Sequence, residues 1–235
     1  MSTNYFILTK IKNTEIANNE ENKVMVFDSR DIHILPQSNL EYYIKHGLFE
    51  NLLIDWCKQY CSQNTTFLDI GAHTGTYSLS LASLSKHVYA FEPQKLTYYA
   101  LCGGVALSQY KNITCIQKGL GSPEQIGNQL LKIISNDGGG SSLHATTNIL
   151  CEESIEIITL DSLDLNDIGF IKMDVEDNEL YVLEGAKETI KKCGYPKIVF
   201  ESNSDNPKLF DYLRNEFNYN IINIGGYNNM YLATI

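Results

Sequence analysis

The chain has 235 residues, of which 43% are hydrophobic and 20% charged, and its formal net charge is −10. This composition supports a folded core rather than a disordered chain. The acidic balance argues against a nucleic acid partner, because phosphate contacts require clustered Lys and Arg. No apolar stretch approaches the roughly 20 residues needed to cross a bilayer, and the first ten residues lack the apolar centre of a secretory signal. We therefore expect a cytoplasmic protein without a membrane span.

Hydrophobic periodicity divides the chain into alternating helices and strands. Apolar residues spaced by four or five predict one or two helices between Leu40 and Cys61, which Gly47 would break or kink. The helix predicted from Lys95 to Leu107 contains the pair Gly103-Gly104, which should weaken it. The predicted strands are 67–70, 88–91, 112–117, 168–174, 197–201, 219–224 and 229–235. The other predicted helices are 77–84, 178–192 and 207–217.

Strands that alternate with helices predict a doubly wound α/β fold with a mostly parallel, seven-stranded sheet. The last two strands are separated only by residues 225–228, so they should form a C-terminal antiparallel hairpin. Two β-rich pieces, 129–135 and 155–160, flank a glycine-rich tip, residues 138–142, and predict a β-hairpin insertion. We divide the chain into an N-terminal helical extension, residues 1–62, packed on a core domain, residues 63–235, as one globular unit.

Residues 67–77 read FLDIGAHTGTY. This pattern predicts a strand, then a glycine turn over residues 71–75, and then the start of a helix. Small residues let the backbone approach a ligand closely, and the helix offers free amide groups at its N-terminus. His73 replaces the central glycine of the dinucleotide fingerprint, and no Gly-Lys-Ser/Thr follows, which excludes a P-loop. The spacing D-x-G-x-x-x-G suits a cofactor without phosphates. Asp69 is placed to pair with an ammonium group such as that of S-adenosylmethionine (SAM).

Glu92 ends the second strand of this core, where an acid can contact both hydroxyls of a ribose. That position suits NAD and SAM alike, but Asp69 and the missing central glycine favour SAM. The alternative is that Asp69 caps the next helix and Glu92 is a solvated loop carboxylate. The predicted cofactor-binding residues are Asp69, Gly71, Ala72, His73, Thr74, Gly75, Glu92, Ser141, Ser142 and Asp174.

Six stretches of the chain resemble the FkbM-type methyltransferases of the class I SAM-dependent fold. They are 67–82, 88–94, 138–143, 158–163, 171–186 and 196–202. The combination of GGSSL, IKMDVE and LEGA is the most specific part, and the resemblance covers roughly residues 40–205. It implies a SAM-dependent O-methyltransferase, and it alone implies the acceptor, a hydroxyl of a sugar in a glycan or glycosylated metabolite. Where the family commonly reads DVEGAE, residues 174–179 read DVEDNE, which adds charge and bulk near the substrate side.

Methyl transfer to a hydroxyl requires a base, or a metal that lowers the pKa of the hydroxyl. Asp174 and Glu201 end neighbouring strands and are candidate bases, or together tentative Mg²⁺ ligands. Asp174 could instead only orient the methionine part of the cofactor. His144 follows the glycine tip and is a third candidate base, unless it is merely a solvated loop histidine. Glu50 either reaches the glycine turn from the N-terminal helices or is a surface carboxylate.

Three other functions stay open at this point. The chain could methylate RNA or protein, although its acidic balance opposes RNA. It could be a binding module that keeps the fold without activity, or an NAD-dependent oxidoreductase. A homo-oligomer is compatible with the sequence.

Overall fold

The structure is a computed structural model that describes residues 4–9, 14–18, 23–27, 30–203 and 206–235. Of the first ten residues, which lack the apolar centre of a secretory signal, residues 1–3 and 10 lie outside the described residues. The strands are β1 (Tyr5–Thr9), β2 (Thr14–Asn18), β3 (Lys23–Phe27), β4 (Ile32–Pro36), β5 (Thr66–Ile70), β6 (His87–Phe91), β7 (Ile113–Ile116), β8 (Gly119–Leu120), β9 (Gly127–Ile133), β10 (Cys151–Ile158), β11 (Ile168–Met173), β12 (Lys197–Glu201), β13 (Asn220–Asn223) and β14 (Met230–Thr234). The α-helices are α1 (Leu40–His46), α2 (Asn51–Cys57), α3 (Thr76–Leu81), α4 (Lys95–Leu107), α5 (Glu179–Glu184), α6 (Lys187–Lys192) and α7 (Pro207–Phe217). Among the described residues, no helix has the length and apolar character needed to span a membrane.

Seven strands form the central sheet, in the order β13-β14-β12-β11-β5-β6-β7. The five neighbouring strands β12, β11, β5, β6 and β7 are parallel to one another. In contrast, β14 runs antiparallel to β12, and β13 runs antiparallel to β14. This confirms the predicted doubly wound α/β fold with its C-terminal hairpin. The chain proceeds from β5 to β6 on one side and returns to β11 on the other. The carboxyl ends of β5 and β11 therefore flank the switch point, where such sheets bind ligands.

Both faces of the sheet are covered, because side chains alternate along each strand. On β5, Phe67 packs with Leu53 of α2 on one face. Its neighbour Leu68 packs with Leu183 of α5 and Leu213 of α7 on the other face. The core thus consists of two apolar layers, one packed on each face of the sheet, and this packing fixes the positions of the strand ends.

The predicted β-hairpin insertion is confirmed. β9 and β10 pair antiparallel, with Gly127 opposite Ile157 and Ile133 opposite Cys151, so β10 begins four residues earlier than predicted. β8 adds to β10 in parallel and was not predicted, because a strand of two residues has no periodicity to read. The glycine tip lies between β9 and β10 and is tied to β9 by an antiparallel bridge between Lys132 and Ser142.

The N-terminal extension contains β-structure as well as the predicted helices. α1 and α2 are separated at Gly47, whose φ is 78°. In front of them, β1 pairs antiparallel with β4, and β2 with β3. The predicted weakening of α4 at Gly103-Gly104 does not occur. A Cβ at Gly104 would come within 3.1 Å of the carbonyl oxygen of Ile32, so the small residues let β4 lie directly on α4.

The single helix predicted over residues 178–192 is two helices, α5 and α6. The break falls at Gly185, where a Cβ would collide with the carbonyl oxygen of Gly121. Periodicity did not reveal this break, because it depends on a backbone segment distant in sequence. The loop after β8 therefore approaches the end of α5 without an intervening side chain.

Candidate active site

A cavity opens at the carboxyl ends of β5, β6 and β11, at the switch point of the sheet. Six predicted cofactor-binding residues line it: Gly71, Ala72, His73, Glu92, Ser141 and Asp174. Its wall includes Glu50, as in the first of the two alternatives for that residue, and also residues that were not assigned to the site from sequence, among them Tyr77, Lys172, Glu176 and Asn178. Of the predicted residues, Asp69, Thr74, Gly75, Ser142, His144 and Glu201 do not line it.

Gly71 is required at the turn after β5 for two reasons. Its φ is +77°, and a Cβ there would collide with the backbone carbonyl oxygen of Asp174. Gly75 also has a positive φ, +85°, but its Cβ would strike the side chain of Leu101 on α4. Gly71 therefore brings the turn against the end of β11, whereas Gly75 allows α3 to pack on α4.

Asp69 lies behind the cavity wall. Its side chain is fully buried, and Oδ2 accepts hydrogen bonds from the amide and the hydroxyl of Ser78, at 2.9 and 2.6 Å. Oδ1 has no hydrogen-bond partner among the described residues and lies 4.0 Å from Nζ of Lys172. Burial raises the pKa of Asp69, against the opposing effects of Lys172 and Ser78. Asp69 thus fixes the first turn of α3, as in the capping alternative, and faces Lys172 instead of the cavity.

Lys172, near the end of β11, connects the two strands of the switch point. Its Nζ donates to the carbonyl oxygen of Gly71 at 3.1 Å and to Oδ2 of Asp174 at 3.2 Å. The same atom lies 5.1 Å from the centre of the Tyr77 ring. Burial opposes the charged form, but Asp174 and Asp69 raise the pKa of Lys172 above its ordinary value. Lys172 is therefore a buried cation that ties the glycine turn to Asp174.

Glu92 holds the turn from the β6 side. Its carboxylate accepts hydrogen bonds from the amides of His73 and Gln94, both at 2.8 Å, and from the Thr97 hydroxyl at 3.0 Å. Burial raises the pKa of Glu92, and His73 and these donors counteract that rise. The residue is not the solvated carboxylate of the alternative interpretation. It is a fixed acid at the end of β6 that borders the cavity.

The glycine tip closes over the turn. Nε2 of His73 lies 2.7 Å from the carbonyl oxygen of Asp137. A Cβ at Gly138 would come within 2.7 Å of Cγ2 of Thr97, so a larger residue would push the tip away. The Ser141 hydroxyl donates to the carbonyl oxygen of Gly138 at 3.0 Å and lines the cavity.

Ser142 and His144 do not line the cavity. The Ser142 hydroxyl donates to the carbonyl oxygen of Glu176 at 2.6 Å. His144 is exposed, its Nε2 lies 3.0 Å from Oδ1 of Asn178, and its ring stacks on Tyr181. The predicted base His144 therefore contacts Asn178 of the cavity wall without lining the cavity itself. Both residues instead join the glycine tip to the segment after β11.

Three carboxylates meet beyond the end of β11. Oxygens of Asp174, Glu176 and Glu201 lie within 4.8 Å of one another. Burial and the neighbouring Asp174 raise the pKa of Glu201 to about 9. Burial opposes ionisation of Asp174, but Lys172 and Glu201 together lower its pKa. The raised pKa of Glu201 means that a cation such as the predicted Mg²⁺ would compete with a proton at this cluster.

The departure from the family pattern has a structural basis. Glu176 and Asp177 both have left-handed backbone, with φ of 52° and 73°, and Asp177 stands where the family commonly has glycine. Asn178 is buried, its amide donates to the carbonyl oxygen of Leu120 at 3.1 Å, and its Oδ1 accepts from Gln125 at 2.9 Å. Asn178 thus anchors β8 and the loop that follows it against the segment after β11, and it also lines the cavity.

Comparisons with known proteins agree with this architecture. The methyltransferase FkbM domain matches residues 69–221, more than half of the chain. A solved FkbM methyltransferase from Methylobacillus flagellatus KT is similar at 18% identity and a TM-score of 0.51, over 74% of this chain and 44% of that one. The chain thus spans less than half the length of that protein.

Two further solved structures share the fold over most of their length. An rRNA methylase from Streptococcus thermophilus is similar at 13% identity and a TM-score of 0.50, over 77% of this chain and 92% of that one. A precorrin-6y C5,15-methyltransferase from Geobacter metallireducens GS-15 is similar at 13% identity and a TM-score of 0.50, over 80% of this chain and 89% of that one. At these identities the likeness concerns the fold. No curated protein sequence matches the chain.

Proposed function

The chain belongs to the methyltransferase FkbM family, and we propose that it transfers the methyl group of SAM to a hydroxyl group of a sugar. The acceptor would be part of a glycan or a glycosylated metabolite, as the family resemblance implies. The observation that carries the proposal is the cavity at the switch point, in which the glycine turn and Glu92 meet the carboxylates after β11.

The charges of the cavity fit SAM. Four carboxylates line it, and they outnumber its two lysines; the carboxylates are Glu50, Glu92, Asp174 and Glu176, and the lysines are Lys118 and Lys172. SAM supplies a methyl group on a positively charged sulfonium and also carries an ammonium group. An acid-rich cavity attracts such a cation over a neutral or anionic molecule of similar size. The bare backbone at Gly71 leaves room for close approach.

Glu92 would bind the ribose. A carboxylate has about four acceptor positions, and three of those on Glu92 already receive donors. We therefore expect one ribose hydroxyl to bind Glu92, instead of both. The adenosine then lies toward β6, and the opposite end of the cofactor lies toward β11.

Two carboxylates on the cavity wall are placed to accept the proton of the acceptor hydroxyl, Asp174 and Glu176. Asp174 was the first candidate from sequence, and Lys172 fixes its position at 3.2 Å. Glu176 was not predicted, and burial raises its pKa to about 7. A hydroxyl is a poor nucleophile while it holds its proton, so loss of these acceptors should slow the transfer.

The proposal is tested with labelled SAM over a panel of monosaccharides and oligosaccharides, with RNA and protein included as rival acceptors. Label on a sugar hydroxyl, accompanied by release of S-adenosylhomocysteine, is the expected result. Label on RNA or protein would replace the sugar with that acceptor, and SAM binding without transfer to any acceptor would indicate a binding module. Binding of NAD in place of SAM would overturn the assignment.

Two variants test whether Asp174 and Glu176 accept the proton of the acceptor hydroxyl. We expect Asp174→Asn and Glu176→Gln each to lower kcat about tenfold or more while the Kd for SAM changes much less. Glu152→Gln, an exposed acid on β10, is the matched control and should keep wild-type kcat. Unchanged kcat in both cavity variants would remove these residues from the proton transfer.

A further inference from the structure

Glu50 lies outside the region matched by the family, residues 69–221, yet its side chain lines the same cavity. It belongs to the extension that we predicted from sequence, residues 1–62. Its backbone has the left-handed conformation, with φ of 55° and ψ of 23°, and it immediately precedes α2. The side chain makes no capping hydrogen bond to that helix. The local structure thus directs the carboxylate to the cavity instead of to α2.

The partner of Glu50 is a residue of the cofactor turn region. Oε2 of Glu50 accepts a hydrogen bond from the hydroxyl of Tyr77 at 2.8 Å, and Tyr77 is the second residue of α3. The ring of Tyr77 faces Nζ of Lys172, which in turn contacts Asp174. Glu50 therefore belongs to the β11 side of the turn, whereas Glu92 holds the turn from the β6 side.

The order of the strands assigns different parts of the cofactor to these two acids. β6 and β11 lie on opposite sides of β5 in the sheet. If Glu92 binds the ribose, the amino-acid end of SAM extends across the turn toward β11. The Glu50 carboxylate lies on that side, and it can accept further hydrogen bonds besides the one from Tyr77. A charge-assisted hydrogen bond from an ammonium group is the strongest contact that such a carboxylate can make there.

We propose that Glu50 is a cofactor-binding residue whose carboxylate accepts a hydrogen bond from the α-ammonium group of SAM. This inference rests on the proposed function, because it takes SAM as the cofactor. It means that residues N-terminal to the matched region complete the binding site. Tyr77 orients the Glu50 carboxylate through its hydroxyl.

The test compares Glu50→Gln with Glu41→Gln, an exposed acid of α1 that is not in the cavity wall. Calorimetry measures binding of SAM, of S-adenosylhomocysteine, which keeps the amino-acid end but has an uncharged sulfur, and of 5′-methylthioadenosine, which has the adenosine and an uncharged sulfur but no amino-acid end. We expect Glu50→Gln to weaken binding of SAM and of S-adenosylhomocysteine about tenfold or more, with methylthioadenosine binding unchanged. Glu41→Gln should bind all of these compounds as the wild type does. Tyr77→Phe should weaken SAM binding in the same direction by a smaller factor.

The outcomes separate this inference from the proposed function. Wild-type protein that does not bind SAM would overturn the proposed function itself. Wild-type affinity for SAM in Glu50→Gln would overturn the inference alone. Equal loss of SAM and methylthioadenosine binding would also overturn it, because the variant would then have damaged the site as a whole. Retained binding of methylthioadenosine also shows that the variant is folded.

Discussion

Nζ of Lys172 lies 3.2 Å from Oδ2 of Asp174, and both side chains border the cavity at the switch point. The lysine is almost fully buried, and its second hydrogen bond, to the carbonyl oxygen of Gly71, crosses from β11 to the turn after β5. It also lies 4.0 Å from the buried carboxylate of Asp69. One cation thus compensates two acids and sets the distance between the two halves of the site.

Replacing this lysine should destabilise the fold. Lys172→Met keeps most of the side-chain volume but leaves Asp69 buried without a compensating charge. Breaking a buried pair in this way typically costs about 3–5 kcal/mol. We expect urea unfolding of Lys172→Met to show a loss of this order. Lys58→Met, which breaks the exposed pair between Lys58 and Asp55, is the control and should lose at most about 1 kcal/mol. Equal losses in the two variants would show that Lys172 has no special structural role.

Gly71 allows a sharper comparison, because Gly47 also has a positive φ, +78° against +77°. A Cβ at Gly47 meets nothing within 4 Å, whereas one at Gly71 collides with the carbonyl oxygen of Asp174. Alanine is strained at both positions because both φ angles are positive, and the ψ of −150° at Gly47 lies in a region that is almost confined to glycine. We expect only Gly71→Ala to lose SAM binding, measured by calorimetry, since only there must the turn separate from β11. Comparable SAM affinity in the two variants would refute this account of the turn.

The carboxylate cluster of Asp174, Glu176 and Glu201 leads to different expected activities depending on whether it holds a metal ion or a proton. If a proton on Glu201 takes the place of a cation, Glu201→Gln should retain activity within about threefold, because an uncharged amide beside Asp174 resembles an uncharged carboxyl group. Glu201→Ala should lose more, since nothing then fills that position. Dialysis against a chelator should leave the wild-type rate unchanged. Loss of activity on chelation, restored by Mg²⁺, would return the cluster to the metal site first predicted from sequence.

The glycine turn and Glu92 could be predicted from sequence because each follows a short apolar strand within one local motif. The contribution of Lys172 could not, since it lies 101 residues from its partner Gly71 and meets it only because β11 is adjacent to β5. Its one local signal was a lysine inside an apolar strand. Asp69 was assigned to the cavity from the motif alone. Spacing does not reveal that Ser78 uses that carboxylate inside the core.

Glu179, the first residue of α5, provides a pH-dependent test of the same region. It is buried, its Oε1 accepts from the amide of Val175 at 3.0 Å, and burial raises its pKa from 4.5 to about 7. The folded chain therefore holds a proton that the unfolded chain releases between these values. In this window the free energy of unfolding contributed by Glu179 falls as pH rises, and the favourable contribution is complete only below the unfolded pKa.

Glu179→Gln should remove this dependence, because glutamine keeps an acceptor for Val175 but carries no proton equilibrium. Relative to the wild type, the variant should gain about 2–3 kcal/mol of unfolding free energy between about pH 4.5 and about pH 7. Urea unfolding at the two ends of this range measures the difference. Glu188→Gln, an exposed acid in the first turn of α6, should follow the wild-type pH profile. If the free energy of unfolding of Glu179→Gln followed the same pH dependence as that of the wild type, Glu179 would be ionised in the folded protein. The hydrogen bond from Val175 and any solvent contact would then outweigh the effect of burial.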